Sequence, residues 1–482
     1  MEPPTMTNPN VIFMLIDDMG WKDIACMGSD FYETPNIDKI RDAGMLFTDA
    51  YAACPVCSPT RASIMSGKYP ARVGVTQFIG GPKHCKLGGE KGRLLSAPYT
   101  PQLNLSEKSL ATTFKENGYA TWHLGKWHLG EREFWPDRHG FDINIGGFKG
   151  GHPGGRGHYF VPWDIPTIEP KDDDDYLTDR LGDEAVNLIE QSDGTPFFMN
   201  LWFYQVHTPL MAKKDKVKKY EQKRIDMGLD KVEEIIEGDF FPIEHKKTKR
   251  MQHRVVQSNP VYAAMIEHLD ENVGKVLDAL EAKGIADDTI VVFTSDNGGL
   301  SSAEGSSTCN APLHRGKGWM YEGGTREPTL IKWPGVVESN STTSSVITSP
   351  DWYPTLLEAC GLPLQPQQHV DGKSFVKVLK GENVDRGSVF WHFPHYGNQG
   401  GTPGCSIRKG DWKLIEFFEG QIELYNLKDD ISEDNNVATE YPEKAEELLS
   451  ELQVWQKDVG ALYPEPNLDW KPATEEDLRK ID

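Results

Sequence analysis

Val11-Ile12-Phe13-Met14-Leu15-Ile16-Asp17-Asp18 sets six unbroken apolar residues directly against two carboxylates. Three more runs repeat the design. Ala120-Thr121-Trp122-His123-Leu124 leads into Gly125-Lys126-Trp127-His128, and Phe197–Phe203 leads to His207. Thr289–Phe293 leads to Ser295-Asp296-Asn297-Gly298-Gly299. Runs of this length, rich in β-branched and aromatic residues, predict buried strands. Between them, Tyr262, Ile266, Leu269, Val273, Val276, Leu277 and Leu280 fall at helical spacing, as do Leu181, Ala185, Leu188 and Ile189. Strands alternating with helices imply an α/β fold with a mainly parallel central sheet flanked by helices. Such sheets bind ligands at the carboxyl ends of their strands, where these polar residues stand.

The last hundred residues have another texture. Ser388–Phe393 and Trp412–Phe418 predict strands, and Glu419-Gly420 turns the second into Glu423-Leu424-Tyr425. A helix with Ala445, Leu448, Leu449, Leu452 and Trp455 on one face follows. The expected division is a large domain over residues 1–381 and a smaller C-terminal domain of antiparallel sheet and helix over 382–482. Residues 212–256, rich in Lys, Arg and Glu, predict an exposed helical insertion, and Gly146–Gly157 a loop. No internal repeat is visible.

Hydrophobic residues make up 38% and charged residues 26%, which excludes a disordered chain. No apolar stretch approaches the ~20 residues of a membrane helix, so no transmembrane segment is expected. Met1–Thr7 lacks the basic start and apolar core of a signal peptide. The location is periplasmic or secreted if the N-terminus is processed, and cytoplasmic if it is not. A net charge of −22 argues against nucleic acid as a partner and repels anions at long range. An anion-processing site must therefore gather its cations locally. Seven irregularly spaced cysteines do not make a disulfide scaffold.

One string is denser in chemistry than the rest: Cys57-Ser58-Pro59-Thr60-Arg61-Ala62-Ser63-Ile64-Met65-Ser66-Gly67. Pro59 and the helix formers after it put Cys57 at or just before a helix N-terminus, where free N–H groups favour anions. Arg61 adds a cation one turn on. Taken alone, such a cysteine is more often a buried structural thiol and such an arginine a surface ion pair. The string, however, resembles the sulfatase signature Cys-x-Pro-x-Arg with its downstream glycine. The resemblance extends through Asp17-Asp18, Gly125-Lys126-Trp127-His128, His207-Thr208-Pro209, Ser295-Asp296-Asn297-Gly298 and Lys317 with Tyr321-Glu322-Gly323-Gly324. It implies an alkaline-phosphatase-like fold and oxidation of Cys57 to formylglycine (3-oxoalanine) by a formylglycine-generating enzyme.

Asp17, Asp18, Asp296 and Asn297 offer hard oxygen donors without a zinc-type Cys/His pattern, a set suited to Ca²⁺ or Mg²⁺. Asp17-Asp18 alone could equally cap a turn, and His128 or His207 alone would more often be a hydrogen-bonded core histidine. The resemblance favours Ca²⁺ over Mg²⁺, with the modified Cys57 completing the shell. It further implies that Lys126 and Lys317 bind sulfate oxygens and that Arg61 and His128 hold and deprotonate the hydrated aldehyde. His207 is then the general acid toward the leaving alcohol. His314, three residues before Lys317, is a further candidate for sulfate or leaving-group contact. A hydrated aldehyde has two hydroxyls on one carbon: one attacks sulfur, and loss of the other's proton expels sulfate, which a plain serine ester could not do.

For substrate, Gly150–Tyr159, Trp163, Lys83-His84-Cys85-Lys86, and His392, His395 and Tyr396 supply cations and aromatic faces suited to a sulfated saccharide. They read equally as solvated loops. Sulfated galactan or glycosaminoglycan fragments are the expected substrates. The rivals are a phosphodiester or phosphonate monoester hydrolase with the same metal site and nucleophile, and an unmodified sulfoglycan-binding protein.

Overall fold

The computed structural model describes residues 8–473. Nine strands form the main sheet: β1 (Asn10–Ile16), β2 (Met45–Tyr51), β3 (Ala120–Gly125), β4 (Ile143–Ile145), β5 (Phe197–Trp202), β6 (Thr289–Ser295), β7 (Arg326–Lys332), β8 (Ser341–Thr343) and β9 (Ile347–Thr348). Across the sheet the order is β8-β2-β7-β6-β1-β5-β3-β4, with β9 also paired to β2. β1 runs parallel to β5 and β6, and β3 parallel to β5 and β4. β7 alone reverses, antiparallel to both β2 and β6.

β1 shows why an unbroken apolar run is needed here. Ile12, Met14 and Ile16 point into one core layer, Val11, Phe13 and Leu15 into the other, and all six are fully buried. Each contributes about 1.5–3 kcal/mol over an exposed side chain. One layer is closed by α2 (Leu177–Gln191) and α4 (Pro260–Lys283), the other by α1 (Cys57–Ser66) and the Trp352–Ala359 helix. The register sets Leu15 opposite Trp202, Gly125 opposite Trp202 and Ile16 opposite Ser295. Four strands thus end flush, and whatever follows them is brought to one edge.

A second sheet joins β10 (Val389–Phe393), β11 (Gly404–Lys409), β12 (Trp412–Phe417) and β13 (Gln421–Asn426), all antiparallel. One face packs Trp391, Phe393, Ile415 and Phe417 on Tyr51, Cys54 and Val56, just before Cys57. The other packs Leu414 and Leu424 on Leu448, Leu452 and Trp455 of α5 (Pro442–Asp458).

Residues 212–256 depart from the helical expectation. α3 (Lys214–Asp226) is helical, but a hairpin follows, with strands Ile235–Phe240 and Arg250–Arg254. Its second strand is held by a distant segment: the Ala303 N–H donates to Gln252 O (3.0 Å) and the Arg254 N–H to Ser301 O (2.8 Å). Local spacing could not reveal that partner. None of the seven cysteines is joined in a disulfide, and no helix among the described residues is long and apolar enough to cross a membrane.

Candidate active site

Five chain segments converge at the flush strand ends. Asp17 and Asp18 follow β1, Lys126 and His128 follow β3, His207 follows β5, and Asp296 and Asn297 follow β6. Cys57 is the first residue of α1, capped by extended Val56, so the helix aims its N-terminus at the same point. Asp18 (φ 64°) and His128 (φ 58°) both adopt left-handed backbone, uncommon outside glycine and concentrated at functional sites.

The charges interlock. Lys126 Nζ lies 2.6 Å from Asp17 Oδ2 and Lys317 Nζ 2.7 Å from Asp18 Oδ2. Arg61 donates from Nε to Asp296 (2.8 Å) and from Nη1 to Lys126 O (2.7 Å), with its guanidinium over the Trp202 ring. Asn297 Nδ2 donates to Asp18 Oδ1 at 2.9 Å. Three carboxylates therefore meet three fixed cations, all buried. Burial, and behind it neighbouring Asp296 and Asp18, raises the Asp17 carboxyl well above its ordinary range. Burial acts the same way on Asp18, but Lys317 and His207 hold it low. Burial opposes the Lys317 ammonium, yet Asp18 keeps its pKa above the usual lysine value.

Two imidazoles have tautomers fixed by carbonyls, which can only accept. His128 Nε2–H donates to Ile79 O (3.1 Å), leaving the Nδ1 lone pair facing Cys57 Sγ at 3.6 Å. His207 Nδ1–H donates to Thr208 O (2.6 Å), leaving Nε2 3.7 Å from Asp18 Oδ2. Burial lowers both pKa values well below the ordinary histidine range, helped by Lys126 at His128 and by Lys317 at His207. Burial pushes the Cys57 thiol up.

A divalent ion fits the oxygen cluster. Asp17 Oδ1 and Asn297 Oδ1 are buried with no hydrogen-bond partner, a costly state for atoms so placed unless they have a ligand. Ligand atoms of Asp17, Cys57 and Asp296 all lie within 4.8 Å of one another.

Above this floor opens a cavity of about 1020 Å³ that reaches Cys57, His128, His207 and Lys317. Its walls include apolar Phe78, Ile79 and Phe134, the basic or imidazole side chains of Lys149, His152 and His158, and polar Glu304, Asn398 and Gln399. Of the loop Gly150–Tyr159, His152 and His158 line the cavity, whereas Tyr159 is buried behind it, its hydroxyl donating to Tyr204 O and His207 O. His314 stands apart: its ring packs on Tyr321 and its Nδ1 lies 4.0 Å from Asp434.

The saccharide-facing reading of His392, His395 and Tyr396 is corrected. His392 bonds Leu462 O, His395 bonds Thr76 and Gly88 O, and Tyr396 bonds the Leu94 N–H and Glu419, all buried in packing between segments. Trp163, half-buried, donates to Ile168 O, and half-buried His84 sits on cavity-lining Phe78 against the Tyr99 hydroxyl. The walls Phe78-Ile79, Glu304 and Asn398-Gln399 went unnoticed in the sequence. They come from loops with no periodic or motif signal.

The family model for sulfatases matches residues 9–362, and a model described as N-sulphoglucosamine sulphohydrolase, C-terminal, matches 314–458. The chain belongs to the sulfatase family. A sulfatase from Formosa agariphila is 32% identical, over 93% of this chain and 88% of that protein. Human N-acetylgalactosamine-6-sulfatase is 30% identical over 80% of this chain and 68% of its own length. The crystal structure of Ps i-CgsB in complex with k-i-k-neocarrahexaose superposes with a TM-score of 0.73 at 27% identity, covering 98% and 97% of the two chains. This sulfatase is a sulfuric ester hydrolase of alkaline-phosphatase-like fold, with saccharide sulfatases among its relatives.

Proposed function

We propose that this sulfatase removes sulfate from a sulfated saccharide, a galactan or glycosaminoglycan fragment, using Cys57 after its conversion to formylglycine by a formylglycine-generating enzyme. The observation that carries the reading is the His128 Nδ1 lone pair directed at residue 57 from 3.6 Å, at the mouth of a helix N-terminus. Converted residue 57 would supply a geminal pair of hydroxyls, one to attack sulfur and one to release sulfate. His128 takes the proton of that residue, and Arg61 holds Asp296 and the Lys126 backbone in place around it. Asp17, Asp18, Asp296 and Asn297 would hold Ca²⁺, which would supply positive charge beside the sulfate oxygens. Lys126 and Lys317, each already 2.6–2.7 Å from a carboxylate, are placed to share that charge. His207 Nε2 stands 3.7 Å from Asp18 Oδ2, at the cavity floor. It is placed as general acid: Nε2, protonated from solvent through the open cavity, passes that proton to the leaving alcohol. His314 receives no role. We further place the division between catalytic and C-terminal domains near residue 381, before β10.

Three carboxylates against three cations make the protein's own charge at the floor balanced. A dication adds two positive charges, so net charge alone does not separate a singly charged sulfate ester from a doubly charged phosphate, and matched esters of one leaving group must decide. The test joins mass spectrometry of the peptide bearing residue 57 to a screen of sulfated oligosaccharides. Loss of the thiol mass in favour of the aldehyde, with sulfate release, is expected. A retained thiol in the native host would leave a binding protein, and a higher kcat/KM on the matched phosphate ester would make the chain a phosphoesterase.

A further inference from the structure

His245-Lys246-Lys247-Thr248-Lys249-Arg250 carries no acid, in a chain of net charge −22. It forms the end of the hairpin turn and the start of the strand Arg250–Arg254. Basic residues earlier in the same insertion are neutralised: Lys216, Lys219 and Lys223 of α3 are bound to Glu33, Glu267 and Glu271. Lys246, Lys247 and Arg250 instead donate to backbone carbonyls, those of Asn398, Lys471 and Gly238. Among the described residues no carboxylate pairs with any of these three or with Lys249. The acids nearest in the fold pair elsewhere or form no ion pair with these cations among the described residues, exposed Asp469 beside Trp470 included. Glu244 pairs with Lys91, Glu90 with His245, and Glu304 accepts from Gln399, while Glu237 and Asp239 stand on the strand paired with Arg250–Arg254 and make no ion pair there.

This basic edge is tied to the mouth of the cavity. The strand Arg250–Arg254 is hydrogen-bonded to residues 301–303, immediately before the cavity-lining Glu304, and Lys246 reaches the backbone of cavity-lining Asn398 at 3.5 Å. Cations that pair with no carboxylate among the described residues, held beside a cavity mouth, give a local field that a polyanion would follow inward. We propose that Lys246, Lys247, Lys249 and Arg250 form an outer surface that holds further sulfate groups of the same saccharide chain whose reacting sulfate lies at Cys57. This rests on the saccharide sulfatase reading, and it commits the substrate to a multiply sulfated oligosaccharide.

The experiment uses fully modified enzyme and whichever saccharide series the screen shows to be turned over. Two hexasaccharides of that series are compared, one with a single sulfate and one sulfated on every repeat. The variant Lys246→Gln/Lys247→Gln/Lys249→Gln/Arg250→Gln should raise KM for the fully sulfated hexasaccharide roughly tenfold. It should leave kcat, and both constants for the singly sulfated one, within about twofold. In wild type, added salt should raise KM for the fully sulfated substrate alone, a measurement that stands even if the variant folds poorly. Equal effects on both hexasaccharides, or none on either, would overturn the surface while leaving the saccharide sulfatase reading intact. Failure of wild type to release sulfate from any saccharide would remove the reading and the surface with it.

Discussion

At the scale of single residues, two cysteines three positions apart have different prospects. Cys57 heads α1 and faces His128, whereas Cys54 is buried with Tyr51, Trp391 and Phe393. Cys57→Ala is expected to abolish sulfate release with little change in Tm. Cys54→Ser should keep turnover while losing stability by about 1–3 kcal/mol, because a hydroxyl is placed in an apolar pocket. Ion chromatography of released sulfate and thermal melts of both variants check the pair, and the reverse pattern would identify Cys54 as the nucleophile. Asp17 Oδ1 and Asn297 Oδ1 make a second expectation. Purified protein should hold one Ca²⁺ per chain by elemental analysis, and chelation should lower Tm in a way that Ca²⁺ reverses. Asp296→Ala with Asn297→Ala should hold none. Stoichiometric zinc needed for activity would contradict the oxygen-donor argument.

At the scale of elements, the loop bearing Lys317 is seated against the end of β6 by glycines. A Cβ on Gly298 would stand 1.8 Å from Gly323 O, with no flexible side chain to yield. Gly298→Ala is therefore expected to push the Gly323 segment, and Lys317 with it, away from Asp18. Overpacking of this kind costs about 1–3 kcal/mol or more. Activity should fall more steeply than stability, and wild-type kcat/KM in a well-folded variant would refute the seating argument. Much at this scale is legible from sequence alone. β1, β3, β5 and β6 announce themselves because burial on both faces demands mainly apolar runs, and parallel ends make Asp17 and Asp296 neighbours. The hairpin at 235–254 is not legible, since its strand is held by residues 301–303, fifty positions away. His392 and His395 mislead for a related reason. Buried histidines satisfied by remote partners, Leu462 O and Thr76, look locally like surface polar residues.

At the scale of the molecule, the second sheet is bound to the first through a buried charge cluster. Lys413 of β12, fully buried, meets Glu322 and Glu433 at 2.9 Å each, and Glu433 also accepts the Glu322 N–H. Burial, with Glu322 beside it, pushes the Glu433 carboxyl up to about 8, although Lys413 opposes this. The folded protein therefore keeps a proton that the unfolded chain releases above its ordinary value near 4.5. Unfolded binding fewer protons than folded means that this group's stabilisation fades as pH climbs from about 4.5 to about 8. Glu433→Gln, which keeps a neutral side chain there, should flatten the fall in Tm across that window, and an unchanged slope would locate the pH dependence elsewhere. The cavity, finally, has a floor cut from one rigid sheet edge and walls borrowed from separate loops near residues 78–81, 149–158, 304–305 and 398–399. The wall near 78–81 is bound to the reacting centre, because Ile79 O fixes His128, whereas the walls at 304–305 and 398–399 can be exchanged to admit a different leaving group while the chemistry is inherited whole.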